Sequence, residues 1–77
     1  MNQRNRPPTD KADKLVAAGF ERHRIGDIAG AAEFYERALR MRPNHADALH
    51  LSGLTERAQG RHDEALARIE RACRLAP

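Results

Sequence analysis

Four histidines, one cysteine and eleven carboxylates are the groups through which this chain could do chemistry. A helix holds a metal through imidazoles or thiolates three or four residues apart, which leave the same face. His23, His45, His50 and His62 supply no such pair, and Cys73 has no second cysteine with which to make a CxxC. Cys73 falls in an apolar slot of a helical pattern, where a thiol packs as a small hydrophobe. The serine and the threonines are isolated, and no glycine-rich phosphate loop precedes a helix. These residues assign no catalytic group, no metal site and no cofactor, and the histidines read as surface residues. Glu36–Arg37 and Glu70–Arg71 look like a motif, but read as pairs on an outer helix face, where exposed ion pairs contribute only about 0–1 kcal/mol.

The elements that carry these residues follow from composition. Apolar residues make up 40% of the 77 positions, yet the only aromatics are Phe20, Phe34 and Tyr35. Alanine and leucine must therefore form most of the core, which suits closely packed helices and an all-α fold. A domain of this size buries a modest core. The net charge of +3 raises the possibility of nucleic-acid binding. Fourteen basic residues are interleaved with eleven acidic ones, however, whereas a nucleic-acid face concentrates its cations. No stretch is long and apolar enough for a signal peptide or a membrane span. A lone cysteine fits a reducing compartment, and the expected location is cytoplasmic.

The chain repeats itself. Shifted by 34 residues, positions 12–43 align with 46–77, and eleven of these 32 positions are identical. Among them are Asp13/Asp47, Leu15/Leu49, Gly19/Gly53, Gly26/Gly60, Ala31/Ala65, Ala38/Ala72 and Pro43/Pro77. A repeat near this length is one supersecondary unit that buries its apolar face by stacking on the next. Within each unit the punctuation predicts two helices. A cap near Thr9–Asp10 opens a helix at about 11–24, and Asn44 opens its counterpart at about 46–58. Gly26 and Gly60 suit a helix-ending turn that needs positive φ. The trailing helices are expected at about 28–41 and 63–75, closed by Pro43 and Pro77. Residues 1–9 read as a polar lead-in and 10–77 as the domain, with repeats at about 12–45 and 46–77.

Helical phase puts Leu15, Ala18, Gly19 and Arg22 on one face, and Ala31, Tyr35 and Ala38 on another. A glycine inside a helix costs about 1 kcal/mol relative to alanine. Gly19 and Gly53 occupy the same phase of the two units, which implies a close helix approach that offsets the cost.

These residues resemble the tetratricopeptide repeat, whose 34-residue pattern reads W-x2-L-G-x2-Y, A-x3-F-x2-A, P. The first unit has Leu15, Ala18, Gly19 and Arg22, then Ala31, Tyr35 and Ala38, then Pro43. The second has Leu49, Ser52, Gly53 and Glu56, then Ala65, Ile69 and Ala72, then Pro77. Leucine stands in for the tryptophan, and Arg22 and Glu56 stand in for the tyrosine, which predicts looser packing at that end of the leading helices. The resemblance implies two tandem helix-turn-helix hairpins forming a short right-handed α-solenoid. It also implies a non-enzymatic module that binds a peptide or protein in a groove lined by the leading helices. The matching groove positions are Asp13, Ala17, Phe20 and Arg24, then Asp47, Leu51, Leu54 and Ala58, with His50 and Arg57 at the margin. A subfamily that clamps carboxylates with lysine and asparagine is not matched, because Val16 and Phe20 occupy those positions.

Repeat stacks need a polar cap to close their core. Leu66, Ile69 and Cys73 are expected to face outward from the last trailing helix, as a strip that associates with a second copy, giving a homodimer, or with further repeats. The alternative reading is the N-terminal segment of a larger bacterial enzyme such as a transferase, which the arginine-rich, lysine-poor composition also suits. Neither nucleic acid nor a membrane is an expected partner.

Overall fold

The computed structural model describes residues 10–75, so the polar lead-in at 1–9 lies outside it, as does Pro77. Four helices follow in order: α1 Lys11–Arg24, α2 Ile28–Met41, α3 Ala46–Ala58 and α4 His62–Leu75. Helices α1 and α2 form one antiparallel hairpin and α3 and α4 the other. The hairpins join along α2 and α3, and α1 also touches α3. No helix among the described residues is long and apolar enough to cross a membrane.

Each helix start has a local cause. Asp10 caps α1, accepting from the Asp13 N–H at 2.8 Å. Asp27 caps α2 in the same way, from the Gly30 N–H at 2.9 Å. A carboxylate here satisfies a backbone donor that the first turn would otherwise leave open. The cap of α3 corrects the expectation at Asn44: it is His45, whose Nδ1 accepts from the Ala48 N–H at 3.2 Å. Asn44 instead accepts from Arg71 on α4.

The two leading helices end identically. Gly26 and Gly60 adopt φ of 87° and 85°. In the first hairpin the Asp27 N–H reaches back to the Arg22 carbonyl at 2.8 Å and the Gly26 N–H to that of His23 at 3.0 Å. In the second, Arg61 bonds Glu56 at 2.8 Å and Gly60 bonds Arg57 at 3.0 Å. This double closure is the Schellman geometry, which requires a left-handed residue after the helix.

Inside each hairpin a glycine lets the trailing helix come close. A β-carbon on Gly19 would stand 2.5 Å from Cε1 of Tyr35, whose side chain is fully buried. On Gly53 it would stand 2.6 Å from Cγ1 of Ile69 and 3.1 Å from the Ala65 carbonyl oxygen. The boundary between hairpins is built from small side chains: Ala12, Ala38 and Ala48 are buried together, with Leu15, Val16 and Leu39 packed against them. Small residues allow the helices to approach closely, and each unit buries its apolar face on its neighbour.

Candidate functional site

The leading helices α1 and α3 present the groove positions. Phe20 is 50% exposed and its repeat counterpart Leu54 is partly buried, as is Leu51 one turn before it. Ala17, Arg24 and Arg57 are exposed. Arg24 is held by Glu21 at 2.7 Å on the same helix, an exposed pair that still leaves most of the guanidinium in water. The arrangement is an apolar strip with a cation near the end of each leading helix, chemistry suited to an apolar segment carrying a carboxylate.

Asp13 does other work. Its Oδ1 lies 2.7 Å from His45 Nε2 and 3.5 Å from the Arg42 guanidinium. Because His45 Nδ1 accepts from a backbone N–H, the ring proton sits on Nε2 and is donated to Asp13. One imidazole thereby caps α3 and ties it to α1. Arg42 also pairs with Asp10 at 2.5 Å. The Asp13 N–H and the Arg42 charge together hold the Asp10 carboxyl below its usual range.

The histidines thus depart from the uniform surface expectation. His45 is buried, and His23 is partly buried with Nδ1 3.3 Å from the Tyr35 hydroxyl, while His50 and His62 are exposed. Burial pushes the Tyr35 phenol up. Among the described residues no group of three histidine, cysteine or acidic side chains could hold a metal.

A second polar group lies across the hairpin boundary and corrects the outer-face reading of Glu36. Arg68 of α4 reaches both Glu36 of α2 and Ser52 of α3, and its Nε stands 3.5 Å from Glu56 Oε1. Ser52 also donates to Glu36 at 3.3 Å. Glu56 is only 7% exposed, and its Oε1 accepts no hydrogen bond. Burial pushes this carboxyl up, with Arg68 pulling in the opposite direction. The hydrogen bond that Arg68 donates to Glu36 in turn raises its guanidinium. The looser packing expected at the tyrosine positions therefore describes Arg22, which is exposed, and not Glu56. No repeat signal marks this group, because Arg68 and Glu56 align with Phe34 and Arg22.

The outward strip on α4 is also uneven. Leu66 is 57% exposed, whereas Ile69 is partly buried against Gly53 in its own hairpin. Cys73 is exposed, which overturns its assignment to the core. It lines a depression of about 230 Å³ with Ala46, Asp47, His50 and Ala72. Two groove candidates, Asp47 and His50, therefore stand beside α4 at the open side of the second hairpin.

A family comparison matches residues 25–77 to the tetratricopeptide repeat. The chain belongs to that family. Repeats of this kind mediate protein–protein interaction and are typically non-catalytic. No curated protein matches the chain.

Proposed function

We propose that the chain is a protein-interaction module that seats an apolar peptide segment or partner helix along α1 and α3. Phe20, Leu51 and Leu54 contact its side chains, and Arg24 or Arg57 receives a carboxylate. The observation that carries this reading is the half-exposed Phe20. A large aromatic left half in water, in a chain with three aromatics, offers apolar surface that the core does not use and is the residue type that anchors partners. The single cysteine fits action in a reducing compartment such as the cytoplasm.

The test is a selection of peptides from a random display library on the native chain, followed by affinity measurement against Phe20→Glu and Leu54→Glu. Both variants should keep native helicity, since neither side chain is fully buried. Selected peptides should bind them at least about tenfold more weakly, equivalent to about 1.4 kcal/mol. Folded variants that bind every selected peptide as well as the native chain does would rule out this groove.

A further inference from the structure

The boundary between the two hairpins shows how one repeat closes the next. On the first hairpin the wall is Ala12, Asp13, Val16, Ala38 and Leu39. Ala48 of the second hairpin packs into it, and His45 donates to its carboxylate. Thirty-four residues on, the same wall is Ala46, Asp47, His50, Ala72 and Cys73, the five residues that line the open 230 Å³ depression. It is the same socket, and no described residue fills it.

The side chains that would fill it are identified by the same shift in reverse. Ala48 corresponds to Lys14 and His45 to Lys11. These are the only two lysines in a chain with twelve arginines, and both are exposed on α1. Neither lysine side chain has a hydrogen bond or ion pair among the described residues, nor does that of Asp47. Lys11 and Lys14 border a cleft of about 420 Å³ whose lining also includes Arg37 and Arg40, so this end of the hairpin stack is cationic. The socket at the other end has a carboxylate at its edge.

We propose that copies of this chain stack head to tail, Lys14 of one copy entering the socket formed by Ala46, Asp47, His50, Ala72 and Cys73 of the next. The alkyl stem of Lys14 lies along Ala72 and Cys73, and its ammonium, with that of Lys11, meets Asp47. The contact uses a different face on each copy, so it extends into linear stacks and does not close as a two-fold dimer. It also leaves the groove open: Phe20 stays half exposed although its own hairpin is already stacked on a neighbour. Stacking and groove binding can therefore fail independently.

The test uses two variants of the whole chain, each blocking one end. Lys14→Glu reverses the inserted charge, and Cys73→Trp fills the socket; both positions are exposed, and far-ultraviolet circular dichroism checks that helicity is kept. Sedimentation equilibrium at about 50 mM salt, where charge pairs are weakly screened, should show the native chain growing past a dimer with concentration. Each variant alone should associate at least about tenfold more weakly, because a like charge or a filled site replaces the contact. An equal mixture should form a one-to-one dimer and stop there, since Lys14→Glu keeps the socket and Cys73→Trp keeps the lysines. A native chain that stays monomeric up to about millimolar concentration, above the range of specific interfaces of ordinary strength, overturns the proposal. So does a dimer that both variants form unchanged.

Discussion

Replacing Gly19 with alanine sets two opposed effects against each other. In a helix interior alanine is favoured over glycine by about 0.8–1.0 kcal/mol. The new methyl, however, would stand 2.5 Å from Cε1 and 2.8 Å from Cδ1 of Tyr35. That ring is fully buried, and its hydroxyl is also placed against His23, so it cannot swing aside. Overpacking of this kind costs about 1–3 kcal/mol. The net expectation is a loss of about 1 kcal/mol, read as a fall in Tm of roughly 4–8 °C for a domain this small. Urea unfolding followed by circular dichroism measures it. The decisive experiment is the cycle with Tyr35→Leu, which removes the ring from the contact. In that background Gly19→Ala should stabilise by about 1 kcal/mol, so the coupling between the two positions is about 2 kcal/mol. An effect of the same sign and size in both backgrounds would show that Gly19 is not there for the ring.

Three further outcomes test other parts of the fold. His45→Ala should cost about 1–2.5 kcal/mol, because it removes both the α3 cap and the link to Asp13, whereas His45→Asn should recover the cap portion; chemical denaturation separates them. Glu56→Gln should be more stable than the native chain at pH 7. The Glu56 carboxyl is raised in the folded state, so its protonated form contributes stability that is complete below its ordinary value of 4.5 and is lost as pH rises through the folded value. The two proteins should converge in Tm on acidification below 4.5, and a glutamine variant less stable at neutral pH would mean that Arg68 outweighs the burial cost. Gly60→Ala should lower stability by about 1 kcal/mol, as the residue sits at φ 85° with open space around it, and thermal melts would register the change as backbone strain alone.

The helices were legible because their punctuation occurs twice at one spacing. Gly26 and Gly60 define the turns, and three of the four helices carry the expected bounds, with α4 beginning one residue early at His62. Gly19 was legible as a close approach for the same reason. What the repeat could not reveal is what the repeats do not share. Arg68 and Glu56 have no like residue in the first unit, so the polar group joining them to Glu36 and Ser52 leaves no periodic trace. The cap at His45 was hidden because asparagine is the commoner capping residue, and choosing between neighbours needs the backbone angles. The reading of Cys73 as a packed thiol failed because its counterpart Leu39 is covered by a following hairpin, a neighbour that the described residues do not give Cys73. Of the groove positions, helical phase alone could not separate Asp13, already engaged by His45 and Arg42, from the exposed Phe20.

The ties from Asp13 to His45 and from Glu36 to Arg68 each bridge 32 positions, and no hydrogen bond or ion pair described here reaches further along the chain. Such short loops are closed at little entropic cost, which places this protein among those that fold quickly. Among the described residues, the contacts of α3 with α2 and α1, together with the tie from Arg68 of α4 to Glu36 of α2, are the route by which one hairpin senses the other's unfolding. Weakening that route, as at His45 or Arg68, should therefore do more than lower the midpoint of denaturation. It should broaden the transition, as a single cooperative event separates into two hairpins that melt on their own terms.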